Sequence, residues 1–458
     1  MSGILDKMKG VIPVIAMPEN ARYIIHTLQQ NGYSCYAVGG CVRDCLLGRE
    51  PNDWDFTTSA RPDEIEAVFA DHRTVNFGKE FGTVAVILDD EQYEITTYRV
   101  DGAYSDGRHP DSVSFSDSLK DDLSRRDFTV NAMAYNDTDG LIDLFGGQRD
   151  LNYGVIRCVG VPSERFVEDA LRILRALRFA STLGFSIEPE TSEAILRGRR
   201  LLSEIAAERI SSELMKLLCG DKVDFILRRY RTVIAVFIPE LQGTFDFEQH
   251  NKHHNRDVYR HTVASVRNIE PDPLLRTVML FHDIGKPMSQ IVDKQGVCHY
   301  KNHPILGAAM TQEILRRLCM PKLFIDEACA LIRWHDTRFK PDPVELKRYL
   351  NTIGRDRMLK LCKVQRADTL AQSMFMREEK LANLDAVKAE LDRILKAGEC
   401  YRLSMLAVNG SDLIHLGVTD GQEIGRILNE LLDRVIDGEL PNDREMLTAA
   451  AKEMKENA

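Results

Sequence analysis

The sequence predicts an α+β protein, in which a small mixed sheet backed by helices precedes a long helical remainder. Before about residue 152, helical patterns alternate with short β-rich runs such as SCYAV, DWDFTT and FGTVAVILDD. From about residue 155 these runs fade, and apolar side chains recur at helical spacing. The chain has 458 residues, more than one core of ordinary size accommodates, so several domains are expected.

Composition and charge narrow the class of protein. No apolar run approaches the roughly 20 residues needed to cross a bilayer, so no membrane contact is predicted. Ten cysteines occur without CxxC pairs and without a recognisable signal peptide, which predicts reduced thiols in the cytoplasm. The net charge of −10 means that nucleic-acid binding would depend on local basic runs, and these cluster between residues 124 and 202.

The run AVGGCVRDCLLGREPNDWDFTT combines features of a phosphate site and a metal site. Gly39 and Gly40 end an apolar run and allow the backbone to approach phosphate closely, and Arg43 adds a cation. Asp53 and Asp55 alternate along a predicted strand, so their carboxylates point to the same side. Carboxylates so placed can hold Mg²⁺ ions. The run therefore predicts phosphoryl or nucleotidyl transfer at this aspartate pair.

A group suited to base recognition lies further along the chain, in EDALRILRALRF. Asp169 and Arg172 are three residues apart, so a continuous helix places them on one face, where acceptor and donors can read the edge of cytosine or adenine. Arg175 and Arg178 continue a basic stripe towards nucleotide phosphate or the RNA end, and Arg126 in SRRDFTVNAMAY is a further candidate. A solvated helix face is the alternative for each of these three arginines.

These runs, with DGLIDLFGGQRDL and AERISSELMKLL, resemble the DNA polymerase β superfamily, in particular the class II tRNA nucleotidyltransferase and bacterial poly(A) polymerase family. The resemblance implies a nucleotidyltransferase head at 1–152, a helical neck with the base-reading helix at 153–240 and a tRNA-binding tail at 373–458. It implies template-independent addition of CCA to the 3′ end of tRNA from CTP and ATP. It also implies that Glu168 orients Arg172.

Related activities remain as alternatives. The loop DGAYSDGRHPDSV contains Asp106, Arg108 and Pro110 and resembles the full-length loop of the family, which argues against addition of CC alone. The chain lacks the GRRF-like run of poly(A) polymerases, although A-only addition stays open. Glu94 is a candidate third carboxylate by its strand position, with a structural salt bridge as the alternative. A nucleotide-sensing hydrolase and a non-catalytic tRNA-binding protein are further classes.

Residues 241–372 contain histidines and aspartates in an order that resembles the HD phosphohydrolase superfamily. The resemblance implies one divalent transition metal with four ligands: His261, His282, Asp283 and Asp368. It implies that His303 and His335 support a second metal or the substrate phosphate, as in phosphohydrolases that act on 2′,3′-cyclic ends. A metal-free RNA-binding scaffold is the alternative. A nearby run with His250, His253 and His254 is interpreted as a surface loop, and the sequence does not indicate the oligomeric state.

Overall fold

The computed structural model describes residues 15–102, 112–250 and 255–456. It divides into two compact units, Met1–Pro239 and Glu240–Ala458. The finer division into head, neck, HD domain and tail stays a prediction. In the described part of the chain, no helix combines the length and the apolar character needed to span a membrane.

The first unit is built on a seven-stranded mixed sheet in the order β3-β4-β5-β2-β1-β8-β9. Strands β2 and β5 pair in parallel, and each other pair of neighbours is antiparallel. The strands of this unit are β1 (Cys35–Val38), β2 (Asp55–Thr58), β3 (Arg73–Gly78), β4 (Thr83–Leu88), β5 (Glu91–Thr97), β6 (Arg99–Asp101), β7 (Val113–Phe115), β8 (Met133–Asn136), β9 (Gly140–Asp143), β10 (Val155–Ile156) and β11 (Ser186–Ile187). Strand β1 is buried along its whole length, as its apolar run predicts.

Helices surround this sheet and continue beyond it. They are α1 (Glu19–Gln30), α2 (Gly40–Leu46), α3 (Pro62–Val68), α4 (Leu119–Ser124), α5 (Gly147–Tyr153), α6 (Pro162–Glu168), α7 (Leu171–Leu183), α8 (Pro189–Gly198), α9 (Ala207–Leu218), α10 (Val223–Arg229) and α11 (Arg231–Phe237). In α1, Ile24, Ile25 and Leu28 are fully buried, since they recur at helical spacing on one face. Helix α7 packs against α9, and this contact brings together charged side chains described below.

The second unit is helical apart from a short hairpin of β12 (Gln290–Val292) and β13 (Cys298–Tyr300). Its helices are α12 (Val258–Asn268), α13 (Pro273–Phe281), α14 (Lys286–Ser289), α15 (His303–Arg317), α16 (Lys322–Trp334), α17 (Pro343–Ile353), α18 (Arg355–Ala371), α19 (Arg377–Ala397), α20 (Gly410–His415), α21 (Gly421–Asp437) and α22 (Arg444–Glu456). The predicted α+β class is confirmed. This hairpin and the β10–β11 pair are small additions to a region that was expected to be all-α.

Candidate active site and candidate metal centre

The glycine turn of the first unit joins β1 to α2. Gly39 has φ +80°, a conformation that L side chains rarely adopt, so glycine is required there. A Cβ at this position would lie 3.0 Å from Nη1 of Arg126. The Nε of Arg126 is buried and makes no hydrogen bond within the described structure, although its Nη2 lies 3.2 Å from Asp122. The turn therefore has a guanidinium group directly against its backbone.

Three carboxylates belong to the strand edge near this turn. Asp55 begins β2 and pairs in register with Glu94 of the parallel strand β5. Asp53 lies two residues before Asp55 and is exposed, as is Glu94. Within the described ranges, none of the three forms an ion pair. In the described part of the chain, their oxygens do not form one group within 4.8 Å, so the three carboxylates are not a tight cluster.

Electrostatics connect these groups. Asp55 is exposed at the start of β2, yet the protein atoms around its carboxyl partly displace water and raise its pKa to about 6. The charge of Asp53 raises this pKa further, that of Arg126 lowers it, and Glu94 makes a smaller contribution that raises it. Negative charge thus accumulates at this edge. Oxygen ligands without partners suit a divalent cation, so the residues present fit a metal.

Arg43, the cation that the sequence predicts beside the phosphate site, is held by two polar neighbours. Its Nε and Nη2 donate to Asp44 at 2.8 and 2.9 Å, and its Nη1 donates to Oδ1 of Asn131 at 2.6 Å. The side chain is 8% exposed, and its Nη2 would lie 3.6 Å from a Cβ at Gly40. Because Asp44 neutralises Arg43, Arg43 stabilises the glycine turn as a buried, paired residue. Arg126 is the guanidinium group that lies against the backbone of the turn.

The run EDALRILRALRF does not form the single helix that was predicted. Helix α6 ends at Glu168, and Asp169 has φ −139° and ψ 102°, an extended conformation. The Asp169 carboxylate accepts the N–H of Leu171 at 3.0 Å, and Nη2 of Arg209 lies 3.1 Å from its Oδ2. The expected placement of Asp169 and Arg172 on one helical face was therefore wrong. The competing interaction is local, because aspartate side chains bond to nearby backbone N–H groups and interrupt helices.

Arg172 lies in the first turn of α7 and is nearly buried. It donates to Oε2 of Glu168 at 2.6 Å, which is the contact expected from the sequence. It also donates to the carbonyl oxygens of Arg165 at 3.2 Å and Arg125 at 3.0 Å. These bonds connect the start of α7 to the end of α4. Arg172 is thus oriented by three acceptors, and Asp169 lies beside it at the junction of two helices.

The remaining basic stripe is neutralised inside the protein. Arg175 donates through Nε and Nη2 to Oδ2 of Asp127 at 2.9 and 2.6 Å, and Nε of Arg178 donates to Oε2 of Glu213 at 2.6 Å. Burial acts to raise the pKa of Asp127, but the charge of Arg175 and the hydrogen bonds from Asn131 and Arg175 together outweigh burial and lower it to about 2. Both guanidinium groups also lie over the ring of Phe179, at 5.4 and 3.7 Å from its centroid.

One amide connects this stripe to the glycine turn. Asn131 accepts from Arg43 through Oδ1 and donates through Nδ2 to Oδ1 of Asp127 at 3.0 Å. Arg43 also lies over the Phe179 ring, 5.0 Å from its centroid. The sequence analysis did not single out Asn131, Asp127 or Phe179. The adjacent pair Arg126-Asp127 in SRRDFT was the available signal, since a lone acid beside arginines in an apolar run is commonly their partner.

In the second unit the six predicted residues come together at the ends or inner faces of helices. Three of the imidazoles have Nδ1 next to the carbonyl oxygen three residues earlier, at 2.8 Å for His282, 2.7 Å for His303 and 2.6 Å for His335. Because a carbonyl can only accept, Nδ1 carries the proton in each ring. The Nε2 lone pair is then available to a metal, which is the usual arrangement of metal-binding histidines.

The Asp283 carboxylate lies between two groups of imidazoles. Its Oδ2 is 3.4 Å from Nε2 of His261 and 3.3 Å from Nε2 of His282. Its Oδ1 is 3.4 Å from Nε2 of His303 and 3.8 Å from Nε2 of His335. Ligand atoms lie within 4.8 Å of one another in two groups, His261–His282–Asp283 and Asp283–His303–His335. The donor atoms therefore fit two metal ions that share one carboxylate.

Asp368, on α18, lies beside the two imidazoles of the first group, although it is not among the residues whose ligand atoms all lie within 4.8 Å of one another. Its Oδ1 lies 2.8 Å from Nε2 of His261 and 3.6 Å from Nε2 of His282. Burial acts to lower the pKa of His282, but the two aspartates raise it to about 10. Buried carboxylates of this kind require compensating positive charge, and Lys286 supplies one unit at 2.7 Å from Oδ2 of Asp283. Mixed imidazole and carboxylate ligands suit a divalent transition metal.

Some predicted residues are not part of these sites as described. Asp106, Arg108 and Pro110 lie outside the described residues, as do His253 and His254. His250 lines the cavity over the histidine cluster, and none of its atoms belongs to the two ligand groups.

Family models match three parts of the chain. Residues 35–157 match the "Poly A polymerase head domain", which contains the glycine turn and the strand carboxylates. Residues 184–242 match "Probable RNA and SrmB- binding site of polymerase A", and residues 306–451 match the second domain of tRNA nucleotidyltransferase.

Individual relatives match over nearly the whole chain. The chain is 35% identical to a CCA-adding enzyme of Levilactobacillus brevis over 94% of its own length and 97% of that protein. It is 33% identical to a CCA-adding enzyme of Enterococcus faecalis over 95% and 96%. The crystal structure of the Bacillus stearothermophilus CCA-adding enzyme in complex with CTP has 31% identity and a TM-score of 0.73, covering 95% of this chain and 97% of that one. With its geometry and its relatives in agreement, this chain belongs to the family of CCA-adding enzymes, the tRNA nucleotidyltransferases.

Proposed function

We propose that this protein is a cytoplasmic, template-independent nucleotidyltransferase that adds CCA to the 3′ end of tRNA, using CTP and ATP. One observation carries the proposal. Asp55 and Glu94, which form no ion pair with a described residue, lie on neighbouring strands near a glycine turn that has Arg126 against its backbone. The membership in the family supports the same activity, and the relative solved with CTP supports the nucleotide.

Asp53 and Asp55 are the proposed ligands of Mg²⁺, with Glu94 as a neighbouring carboxylate. The ions supply activation of the attacking hydroxyl and neutralise charge on the leaving pyrophosphate. Arg126 is the proposed phosphate contact, because its guanidinium group lies against the backbone of Gly39. Among the described residues, the carboxylates form no ion pair, and the nearby charge of Arg126 lowers the pKa of Asp55, so nucleotide and metal are expected to enter together.

Base choice is proposed at the junction of α6 and α7. Asp169 offers carboxylate oxygens and Arg172 offers guanidinium donors, each held by a partner that fixes its orientation. Arg175 and Arg178 act mainly by holding α7 in place, since both are paired with buried acids. We also propose the four-part division into residues 1–152, 153–240, 241–372 and 373–458, with the last part binding tRNA.

The direct test is incubation of purified protein with tRNA that ends at the discriminator base. With CTP and ATP together we expect three added nucleotides, and with CTP alone we expect two. Failure to incorporate CMP would contradict CCA addition. Incorporation of AMP only onto tRNA that already ends in CC would identify an A-adding enzyme, and a long A tract would identify a poly(A) polymerase.

A second activity is favoured by a separate observation, the sharing of Asp283 between two imidazole groups. We propose that His261, His282, Asp283 and Asp368 hold one divalent metal. His303 and His335 hold a second metal or the substrate phosphate. Such ions activate water against phosphate esters, including 2′,3′-cyclic ends. Phosphohydrolase activity of the metal-loaded protein should disappear in His282→Ala, and equal activity in both proteins would leave the unit as a scaffold.

A further inference from the structure

The cavity over the histidine cluster has a cationic wall that neither proposed activity uses. The cavity measures about 930 Å³, and its lining includes Asp283 and His335 of the candidate metal centre together with Arg338 and Lys380. This volume is within the range of small-molecule sites and accommodates a nucleotide. Arg338 is exposed and forms no ion pair with any residue that the structure describes.

Arg338 is carried by a turn that is fastened in place. The next residue, Phe339, is buried at 2% exposure, and its ring centroid lies 4.8 Å from that of Tyr349. Nδ2 of Asn383, on α19, donates to the carbonyl oxygen of Phe339 at 3.0 Å. The backbone of the turn is therefore fixed against the same helix that carries Lys380, so both cations belong to one rigid wall.

Lys380 is connected to the metal centre by one side chain. Its Nζ donates to Oε1 of Gln372 at 2.6 Å, and Nε2 of Gln372 donates to Oδ2 of Asp368 at 2.9 Å. A single glutamine thus separates the ammonium group from a proposed metal ligand.

The two cations affect each other. Burial lowers the pKa of Lys380, and the charge of Arg338 lowers it further. The charges of Asp368 and Asp336 act in the opposite direction. Two neighbouring positive charges on a cavity wall are stabilised by an anion, and charge-assisted hydrogen bonds to phosphate are strong.

We infer that Arg338 and Lys380 form a subsite for a second phosphate group of the hydrolysed substrate. This inference rests on the proposed phosphohydrolase function and specifies its substrate as a ribonucleotide unit with one phosphate at the 3′ position and another at the 5′ position. Both a free nucleoside 3′,5′-bisphosphate and an RNA end with a 3′-phosphate contain this unit. The oxygen of water forms a bond to the 3′ phosphorus, and the bond from phosphorus to O3′ breaks. One proton of the water passes to O3′, and inorganic phosphate leaves.

The test compares adenosine 3′,5′-bisphosphate with adenosine 3′-monophosphate on full-length, Mn²⁺-loaded protein, with saturating CTP filling the head. Arg338→Ala is compared with Arg333→Ala, since Arg333 is exposed on α16 and does not line the cavity. We expect the wild type and Arg333→Ala to prefer the bisphosphate in kcat/KM, and Arg338→Ala to lose about 10- to 100-fold of that preference, with partial rescue in Arg338→Lys.

A binding readout separates this inference from the proposed hydrolysis. Adenosine 5′-monophosphate retains only the second phosphate, so calorimetry should show weaker binding to Arg338→Ala and to Lys380→Ala than to wild type. If the wild type hydrolyses neither probe but shows this difference, the subsite stands and the hydrolase proposal fails. If hydrolysis occurs and the preference is the same in all variants, the subsite is wrong. An oligoribonucleotide with a 3′-phosphate, compared with the free bisphosphate, identifies the preferred source.

Discussion

The two candidate sites of this molecule use carboxylates in opposite ways. In the first unit, Asp53 and Asp55 lie at an exposed strand end, with Arg126 as the nearby cation. In the second unit, Asp283 and Asp368 lie among imidazoles, and three of these rings have their Nδ1 protons held by backbone carbonyls. Two oxygens at an open edge suit an exchangeable Mg²⁺ that also binds substrate phosphates. A buried set of nitrogen and oxygen donors suits a resident transition metal.

This difference between an open carboxylate pair and a buried ligand set indicates where each site obtains its specificity. Asp53 and Asp55 contribute mainly negative charge at the start of β2. We therefore expect specificity in the first unit to come from the groups that the glycine turn and α7 position. The helical centre contributes its ligands already oriented, so its chemistry depends on the wall of the cavity above it. The two sites should therefore respond differently to the removal of metal and to the loss of a single ligand.

The largest expected effect is that of Asp55→Asn on nucleotide addition. Asp55 is a proposed ligand of the catalytic ions, and loss of such a carboxylate removes several kcal/mol of transition-state stabilisation, so kcat for CMP addition should fall about 10³-fold. Hydrolysis in the second unit should be unchanged. Asp71→Asn is the matched control, because Asp71 is exposed and remote from the strand edge in sequence. Equal activity of the two variants would contradict the proposed site.

The reciprocal change is His282→Ala. It should lower the affinity for tightly bound metal by at least about 100-fold, because even residues that only orient metal ligands contribute 10- to 100-fold. Metal content after dialysis against a weak chelator measures this, with His415→Ala as the control at an exposed histidine. Nucleotide addition with added Mg²⁺ should be retained. Equal metal content in both variants would remove the distinction between an exchangeable and a resident metal.

Much of the fold and of the first site follows from local sequence. The alternation of β-rich and helical runs predicts the sheet. Period-two spacing along one strand applies only from Asp55 onward, because β2 begins there and Asp53 precedes it, so the shared orientation of the two carboxylates stays a prediction. The requirement for glycine at Gly39 follows from its place between a strand and a helix. Such features depend on neighbours in the chain, so a reader of one sequence can obtain them.

The failures have two physical origins, a local bond from a side chain to the backbone and the pairing of charges that are distant in the sequence. Helical spacing predicts one helix through Asp169, but the side chain bonds to the N–H of Leu171 and to Arg209, forty residues away. Likewise, the sequence does not show that Arg175 and Arg178 are paired. In the structure, Asp127 and Glu213 from other elements form ion pairs with them. Periodicity does not reveal which distant acid approaches a given arginine.

Gly39→Ala tests whether the first site depends on the backbone in addition to charge. Positive φ in an alanine costs about 1–2 kcal/mol, and the new Cβ would also press on Arg126. Gly48→Ala is the matched control, since Gly48 also has positive φ but has nothing within 4 Å of its added Cβ. Both variants should lose stability in thermal unfolding, Gly39→Ala by more than this range, because its ψ of −128° lies outside the left-handed helical region. Only Gly39→Ala should raise the KM for CTP, by about tenfold. A similar KM for CTP in both variants would contradict the proposed contact between Arg126 and the nucleotide.

The smallest expected effect concerns Asp127, a buried carboxylate that is neutralised by Arg175 rather than by metal. Its pKa in the folded protein is about 2, below the usual value of about 3.9, so its stabilising charge is present above pH 4 and is lost as the pH falls towards 2. Asp127→Asn should therefore lower the free energy of unfolding by about 2 kcal/mol at pH 7 and by only about 1 kcal/mol at pH 3, measured by urea denaturation.

Chelator should not change this difference at either pH, because no metal is expected to bind Asp127. A chelator-dependent difference would instead place Asp127 with the metal ligands. A difference that stays constant down to pH 3 would show that hydrogen-bond geometry at Asn131 and Arg175, and not charge, holds this part of the unit together. In that case, charge balance around buried carboxylates would be a property of the second unit only, where imidazoles and Lys286 lie next to Asp283.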